Sequence, residues 1–338
     1  MLEIDGSFGE SSKQIIKTSS VLSAITGKPC HIFNIRKSSS NPEPENQSLI
    51  NLQTLAYLCN GRIEEKEKEI TFWPGKIEEG KNSICVNLPV ASSIPFFLKN
   101  LTVLGCSTEK EININIEGGA TDTFFSQTMD YFSHCFLNLI KRIGIKVEIN
   151  VLKRGYYPQG GAELKTTIHP SKIEKINLTE RGELRKILIM SGASKSLEEK
   201  NVAQRQIAGT KEILGKLNLP IEEKIEYHQS DSPGSHVCLI GNFKNTTIGS
   251  YSLGKLGKRA EDVGKEAALD LLKKERTKAC IDEHSLGQIL IYMALSKKKA
   301  TITAPTINDC CRTNIWVIEK FISGNFKIKE PKITWTPK

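Results

Sequence analysis

The sequence lacks the features of membrane and secreted proteins. None of its hydrophobic runs approaches the ~20 residues that a transmembrane helix needs. The opening stretch MLEIDGSFGE carries acidic side chains and no apolar segment of the kind found in signal peptides. The nine cysteines are an odd number, include no CxxC pair and have no histidine at zinc-finger spacing. We therefore expect a cytoplasmic protein without membrane association or a disulfide framework.

Most of the cysteines lie in apolar runs. Cys85 is found in SICVNLP and Cys238 in HVCLIG. A thiol in such a run usually behaves as a small buried hydrophobic group. We expect most of these cysteines to be core residues, with Cys310 and Cys311 as the pair that calls for a separate explanation.

The composition is that of a globular protein with a basic surface. The chain has 338 residues, of which 38% are hydrophobic and 25% charged, enough for one large domain or two ordinary ones. Its formal net charge is +9. A basic balance favours polyanionic partners such as nucleic acid or phosphorylated ligands. The alternative interpretation is a lysine-rich solvated surface.

Helical and strand patterns alternate along the chain and predict an α+β fold. Alternating β-rich runs predict strands over 69–74, 82–88, 111–117, 146–155, 162–169, 186–191, 236–241 and 246–253. Helical periodicity predicts helices over 12–26, 48–59, 125–143, 197–217, 260–274, 285–295 and 313–322.

An internal similarity and a separate segment suggest a domain organisation. The segments LEIDGSFGE (2–10) and INIEGGATD (114–122) share a strand, a glycine-containing turn, an acidic residue and a following helix. We predict three repeated units that form a large domain from residues 1–183 and 277–338. The segment 184–276 has its own strands and helices, and we predict that it is a smaller inserted domain.

The most specific motif is RGYYPQGGAEL (154–164). It reads as a strand end, a turn and a second strand, in which Gly160 and Gly161 permit a positive φ or a close backbone approach. Together with EIDGSFGE near the start and TNIWVIEKF near the end, this stretch resembles the RNA 3′-terminal phosphate cyclase family. Further pieces similar to that family are ITGKP (25–29), FWPGKIEEG (72–80), IEGGATD (116–122), DSPG (231–234) and LGKRAEDVGKEAA (256–268).

The resemblance implies a specific reaction. Such cyclases use ATP and a divalent metal, Mg²⁺ or Mn²⁺, to convert an RNA 3′-terminal phosphate into a 2′,3′-cyclic phosphate, releasing AMP and pyrophosphate. A histidine is adenylated first, and the AMP then passes to the RNA. The resemblance also implies three βαβαββ-type units with a small inserted α/β domain. The expected partners are a nucleotide and an RNA 3′ end, and the oligomeric state stays open.

The resemblance carries over site residues near the N-terminus. In DGSFGESSKQIIK, Glu10 would act in catalysis by holding the metal, and Gln14 would contact phosphate. Lys17 stands at a family arginine position, which keeps the charge but loses the bidentate fork. The loop over 34–49 is similar to a basic family loop. Its expected RNA-binding residues are Arg36, Lys37 and Gln47.

A second group of carried-over residues would bind the nucleotide. In DEHSLGQ, His284 replaces a family tyrosine expected to pack on adenine, Gly287 replaces an aspartate, and Gln288 persists. Lys99 stands at a family glutamine position. We interpret Lys99 as a solvated helix residue, with a phosphate contact as the alternative.

The family's nucleophilic histidine falls on Cys310. Three interpretations stay open at this point: a thiolate nucleophile at a helix N-terminus, an inert residue in an altered site, or replacement of the nucleophile by His284. At the level of function, the main prediction is an ATP-dependent RNA 3′-phosphate cyclase. One alternative is a non-catalytic paralogue that acts as an RNA-binding or RNA-processing assembly factor. An enolpyruvyl transferase on a related fold is a further alternative, for which no motif is present.

Overall fold

The computed structural model describes residues 1–9, 12–36, 47–76, 82–124 and 126–338. The strands in this part of the chain are β1 (Leu2–Asp5), β2 (Cys30–Phe33), β3 (Arg62–Lys66), β4 (Glu69–Trp73), β5 (Ser83–Ser93), β6 (Ile112–Ala120), β7 (Val147–Lys153), β8 (Glu163–Ile168), β9 (Asn177–Leu178), β10 (Leu184–Ser194), β11 (Ile221–His228), β12 (Ser235–Phe243), β13 (Thr247–Leu253), β14 (Ala300–Thr303), β15 (Gly324–Lys329) and β16 (Lys332–Pro337). The helices are α1 (Ser12–Thr26), α2 (Gln47–Leu58), α3 (Ile94–Gly105), α4 (Met129–Tyr131), α5 (Leu137–Lys141), α6 (Val202–Leu214), α7 (Ala260–Arg276), α8 (Glu283–Leu295) and α9 (Asp309–Phe321).

The described strands form four mixed four-stranded sheets. Three of them share one arrangement, with the orders β1-β2-β4-β3, β5-β6-β8-β7 and β9-β14-β16-β15. In each of the three, the first two strands in this order are parallel and the remaining neighbours are antiparallel. The fourth sheet has the order β11-β10-β12-β13. Mixed sheets with separate helices make this an α+β protein, as the sequence predicts.

Alternating burial explains how these strands reach the core. Along β6, Ile112, Ile114 and Ile116 are buried while the residues between them are exposed, so one sheet face packs against helices. A second, smaller core lies under the fourth sheet, where Ile189 and Leu239 are buried together with residues of α6 and α7. None of the helices described above combines the length and apolar character required to span a bilayer.

The structure confirms some of the sequence predictions and contradicts others. The helix predicted over 12–26 has the bounds of α1. The single helix predicted over 125–143 is interrupted, because a π-helical turn at Phe132–Phe136 separates α4 from α5. The expectation that the cysteine in SICVNLP is buried is wrong: Cys85 is exposed, since it projects from the open face of β5, whereas Cys238 is buried. All nine cysteines lie in the described residues, and none forms a disulfide.

The glycine pair of the RGYYPQGG motif has the geometry that the sequence predicts. Gly160 and Gly161 have φ values of +72° and +71°. A Cβ atom on Gly160 would lie 2.4 Å from the carbonyl oxygen of Gly119, and one on Gly161 would lie 1.9 Å from a carboxylate oxygen of Asp231. Only glycine permits both this backbone conformation and this approach.

Candidate active site

A cleft of about 220 Å³ lies where helices α1, α3, α8 and α9 meet. Most of its lining residues have polar side chains, which supply amide, amine, imidazole and thiol groups. The lining residues are Gln14, Lys17, Phe96, Lys99, Ser126, Gln127, Tyr251, Glu283, His284, Gly287, Gln288, Asn308, Cys310, Cys311 and Asn314. Six of the residues that the sequence assigns to catalysis or nucleotide binding are among them: Gln14, Lys17, His284, Gly287, Gln288 and Cys310.

Asn314 joins three of these helices beneath the cleft. Its side-chain oxygen accepts hydrogen bonds from the Gln14 amide at 2.7 Å and from the Thr18 hydroxyl at 2.7 Å, which connects α9 to α1. Its amide nitrogen donates to the carbonyl oxygen of Gly287 on α8 at 3.1 Å. Asn314 belongs to the TNIWVIEKF stretch, so this stretch supplies the hydrogen bonds that hold α1, α8 and α9 together at the cleft.

Gly287 makes this close helix approach possible. A Cβ atom at this position would lie 2.8 Å from the amide nitrogen of Asn314 and would meet no other atom within 4 Å. Glycine within a helix costs about 1 kcal/mol relative to alanine. Here the absence of a side chain leaves room for the Asn314 amide, which explains why glycine is accommodated at position 287.

Lys99 and Gln288 connect α3 to α8 across the cleft. The Lys99 ammonium donates to the carbonyl oxygen of His284 at 3.1 Å, and the Gln127 amide donates to the same oxygen at 2.8 Å. In return, the Gln288 amide donates to the carbonyl oxygen of Lys99 at 3.0 Å. The interpretation of Lys99 as a solvated helix residue is therefore wrong, because its side chain lines the cleft and bonds to the opposite helix.

The cleft contains two lysine side chains in an unusual setting. Lys17 is 7% exposed, and its ammonium lies 3.9 Å from the centroid of the Phe96 ring, a cation–π contact. Burial and the neighbouring Lys17 charge lower the pKa of Lys99 to about 7, against weaker opposing effects of nearby Asp282 and Cys310. Two neighbouring basic groups on the wall of a cleft favour a negatively charged ligand, since an anion relieves their mutual repulsion.

His284 presents an aromatic face beside two tyrosines. Its ring centroid lies 5.0 Å from that of Tyr251 and 5.5 Å from that of Tyr131. Burial, followed by repulsion from the Lys274 ammonium, lowers the pKa of His284 below its usual value. Asp282 caps α8 by accepting the backbone N–H of His284 at 3.1 Å, so the ring is held at the first turn of the helix.

The two adjacent cysteines have different environments at the start of α9. Asn308 caps this helix by accepting the backbone N–H of Cys311 at 2.9 Å. Cys311 is 2% exposed, and burial raises the pKa of its thiol to about 12. Cys310 is exposed and lies on the cleft wall. Of the pair, only Cys310 is accessible to a ligand.

One group of potential metal ligands lies at the edge of the cleft. Ligand atoms of Asp270, Glu283 and His284 lie within 4.8 Å of one another. However, the Lys274 ammonium lies 2.7 Å from the Asp270 carboxylate and 3.2 Å from that of Glu283. This buried cation is ion-paired with both carboxylates and would repel a divalent metal, so the group does not fit one. The predicted metal ligand Glu10 lies outside the described residues.

Two of the residues predicted to bind RNA, Arg36 and Gln47, lie apart from the cleft lining. Arg36 is exposed, and its backbone N–H donates to the Ser12 hydroxyl at 3.0 Å. Gln47 is 1% exposed, and its amide bonds to both backbone groups of Ser93, donating to the oxygen at 2.6 Å and accepting from the nitrogen at 3.2 Å. In this conformation Gln47 positions the start of α3. Lys37 lies outside the described residues.

Comparison with known proteins identifies the family. A model described as RNA 3′-terminal phosphate cyclase matches residues 8–328. The chain belongs to this family. A protein named RNA 3′-terminal phosphate cyclase from Pyrococcus furiosus is 37% identical over 333 residues, which cover 97% of this chain and 95% of the relative. A protein of the same name from Saccharolobus islandicus is 36% identical over 327 residues, covering 95% and 94%.

Among solved structures, the comparison gives a much weaker likeness. The enolpyruvyl transferase NikO from Streptomyces tendae aligns with a TM-score of 0.27 and 12% identity, over 49% of this chain and 33% of that chain. A TM-score this low supports no conclusion about fold or activity.

Two of the motifs that carry the cyclase-family resemblance meet in a second, buried cluster. Arg154 of RGYYPQGG forms ion pairs with Asp122 of IEGGATD, at 3.1 Å, and with Asp130. His236, two residues after DSPG, donates from Nε2 to the Asp130 carboxylate at 2.7 Å, and its Nδ1 lies 3.1 Å from the Tyr156 hydroxyl. The segment between Asp122 and Asp130 includes Ser126 and Gln127 of the cleft. This cluster therefore anchors one wall of the cleft and joins β12 to the β7 end.

Electrostatics keeps this cluster charged. Burial works to raise the pKa of Asp130, but the Arg154 guanidinium and His236 outweigh it and hold that pKa well below the usual range. The carboxylates in turn raise the pKa of Arg154 despite its burial. Breaking such a buried network by removing one partner is costly.

Sequence reasoning missed several cleft residues. Gln127, Tyr251 and Asn314 contribute to the cleft, but no local pattern distinguishes them from ordinary polar or aromatic residues. TNIWVIEKF was the available signal for Asn314, since it was singled out as part of the family resemblance. Lys99 had a signal as well, because it stands at a family site position.

Proposed function

We propose that this protein is an ATP-dependent RNA 3′-terminal phosphate cyclase, and that the cleft between α1, α3, α8 and α9 is its active site. One observation carries the proposal: residues assigned separately from distant motifs line the same cleft. They are Gln14 and Lys17 on α1, His284 and Gln288 on α8, and Cys310 on α9. Relatives that carry the cyclase name match almost the entire chain, which agrees with this assignment.

The chemistry of the walls suits a nucleoside triphosphate. Lys17 supplies positive charge for phosphate oxygens, Lys99 adds an amine to the same wall, and the capped start of α9 adds backbone N–H groups that favour anions. The rings of His284 and Tyr251 offer an aromatic surface for a base. In this proposal Gln14 and Gln288 hold the helices that present these groups.

The proposed reaction has three transfers. AMP passes from ATP to an enzyme side chain with release of pyrophosphate, and the RNA 3′-phosphate then accepts this AMP. The neighbouring 2′-hydroxyl attacks the activated 3′-phosphate, closes the 2′,3′-cyclic phosphate and releases AMP. Mg²⁺ or Mn²⁺ would stabilise charge on the phosphates, with Glu10 as the proposed ligand. We propose that Arg36 and Lys37, with the overall charge of +9, attract the RNA strand.

We also propose the domain organisation expected for the cyclase family. The shared strand order of three sheets supports three copies of one βαβαββ unit in residues 1–183 and 277–338. The separate core beneath the β11-β10-β12-β13 sheet supports an inserted domain over 184–276. The cytoplasmic location stays a prediction.

The test uses a 5′-labelled oligoribonucleotide that ends in a 3′-phosphate, incubated with the protein, ATP and Mg²⁺ or Mn²⁺. We expect a product whose terminal phosphate resists phosphatase, formed with ATP and absent with an ATP analogue that cannot be cleaved between its α- and β-phosphates. Lys17→Ala should strongly reduce the rate, whereas the exposed control Arg142→Ala should not.

The opposite result would favour a different function. If the wild-type protein forms no cyclic product but binds RNA with a steep dependence on salt, the cyclase proposal is wrong and the RNA-binding paralogue takes its place.

A further inference from the structure

The cleft holds several side chains with nucleophilic atoms, and they differ in accessibility. Cys311 is buried, and its high pKa of about 12 keeps the thiol protonated at neutral pH. Lys17 is buried against the Phe96 ring. Three groups remain on the accessible wall: the thiol of Cys310, the imidazole of His284 and the amine of Lys99.

Lys99 is held more firmly than an ordinary surface lysine. Its Nζ atom lies 3.1 Å from the carbonyl oxygen of His284 and 5.4 Å from the centroid of the Phe136 ring. Its backbone oxygen is bound by the Gln288 amide. The side chain is only partly buried, so a ligand in the cleft can reach the amine. A positioned amine on the wall of a cationic cleft is a suitable attacking group for a phosphate ester.

We propose that Lys99 is the residue that accepts AMP, through a phosphoramidate bond formed at Nζ. This inference rests on the proposed function, because the donor is ATP bound in the same cleft. It assigns the role of nucleophile to α3 and leaves Cys310 at the start of α9 as a neighbouring side chain without a covalent role.

The proposed step balances as follows. The lone pair of the neutral Lys99 amine attacks the α-phosphorus of ATP and forms an N–P bond. The bond between that phosphorus and the oxygen bridging to the β-phosphate breaks, and pyrophosphate leaves with the electron pair. The amine nitrogen loses a proton to solvent. In the next step an oxygen of the RNA 3′-phosphate attacks the same phosphorus, the N–P bond breaks, and the amine regains a proton.

The surroundings of Lys99 favour this chemistry near neutral pH. A lysine must lose its proton before it attacks, and most lysines keep it until about pH 10. Burial and the Lys17 charge lower the pKa of Lys99 to about 7, and Asp282, Cys310 and Cys135 oppose this shift. A substantial fraction of the amine is therefore neutral when the cleft is empty. An N–P bond is also better suited to passing AMP on to the RNA than the S–P bond that a soft thiolate would form.

Peptide mapping of the wild-type protein tests the proposal directly. The protein is incubated with ATP and Mg²⁺, digested without exposure to acid, and its peptides are examined by mass spectrometry for the added mass of AMP. We expect the adduct on Lys99, with stability in alkali and lability in acid. At ATP concentrations well below saturation, its rate of formation should rise with pH through about 7 and then level off, as Lys99 of the free protein loses its proton.

Variants supply the matched controls. Lys99→Arg retains a positive charge but removes the nucleophile, and we expect loss of the adduct and of cyclisation. Cys310→Ser, which removes the thiol, and the exposed control Lys141→Arg should both retain an adduct on Lys99. Thermal unfolding and ATP binding, measured for each variant, verify that it is folded.

Other outcomes overturn the inference in distinguishable ways. If the wild-type protein cyclises RNA but carries AMP on Cys310 or His284, Lys99 is not the acceptor and the proposed function stands. An adduct that still forms in Lys99→Arg would likewise show that Lys99 is not the acceptor. If the wild-type protein neither cyclises RNA nor forms any adduct, both the inference and the proposed function are wrong.

Discussion

The side-chain oxygen of Asn314 lies 2.7 Å from the amide nitrogen of Gln14, and this contact joins the last helix of the chain to the first. The same oxygen accepts the Thr18 hydroxyl. Replacing Asn314 by Ala removes the acceptor that the half-buried Gln14 amide and the buried Thr18 hydroxyl share. Because an unsatisfied buried polar group costs about 1–3 kcal/mol, we expect a loss of that size in the free energy of unfolding. Urea denaturation measures it.

An exposed asparagine provides the control for this substitution. The Asn138 amide donates to the carbonyl oxygen of His134 within its own helical segment, on the surface. Asn138→Ala should change the free energy of unfolding by less than about 0.5 kcal/mol. Equal effects at the two positions would mean that Asn314 does not connect the helices energetically.

Gly287 and Asn314 should be coupled. In the wild-type background, Gly287→Ala places a methyl group 2.8 Å from the Asn314 amide, so we expect lower stability despite the better helix propensity of alanine. In the Asn314→Ala background the obstacle is gone, and the same change should stabilise by up to about 1 kcal/mol. A double-mutant cycle from urea denaturation measures this reversal of sign. Additive effects would contradict the close approach.

The stability contribution of Lys99 should depend on pH. Its pKa is about 7 in the folded protein and 10.5 as the ordinary value, so between these pH values the unfolded chain binds a proton that the folded protein does not. Stability of the wild type relative to Lys99→Gln should therefore rise as pH increases from 7 toward 10.5, by at most about 1.4 kcal/mol per pH unit. Urea denaturation of both proteins at pH 7, 8 and 9 measures this. A difference that stays constant would show an ordinary, solvated lysine.

Arg154 should be essential for stability. Arg154→Met leaves the buried carboxylates of Asp122 and Asp130 without their guanidinium, and we expect a loss of about 3–5 kcal/mol. Arg154→Lys should recover little of this loss, since a single ammonium cannot replace a planar fork that contacts two carboxylates. The exposed Arg142→Met is the control and should change stability by less than about 0.5 kcal/mol.

The stabilising effect of the same cluster should also depend on pH. The pKa of Asp130 is depressed in the folded protein. Its contribution to the free energy of unfolding is therefore fully present above the ordinary carboxyl pKa and is lost as the pH falls below it. The gap between the wild type and Arg154→Met, measured by denaturation, should therefore narrow at low pH. A gap that widens in acid would contradict the ion-pair explanation.

Local sequence patterns predicted those parts of the protein that depend on local forces. The periodicity of 12–26 predicted the bounds of α1, and the Gly160-Gly161 pair predicted a positive φ, because helix formation and glycine conformation are properties of short segments. The interruption between α4 and α5 was not predictable in this way, since the apolar period continues through it.

The sequence by itself determined the family, the α+β class and the basic charge, because motifs, periodicity and composition can all be read directly from the chain. Only the tertiary structure decided that Lys99 faces His284 across the cleft, that Asn314 joins Gln14 to Gly287, and that Lys274 forms ion pairs with both Asp270 and Glu283. Each of these relationships depends on how α1, α3, α7, α8 and α9 pack. Packing sets distances between residues that are far apart in the chain, and it also sets the burial that lowers the pKa of Lys99.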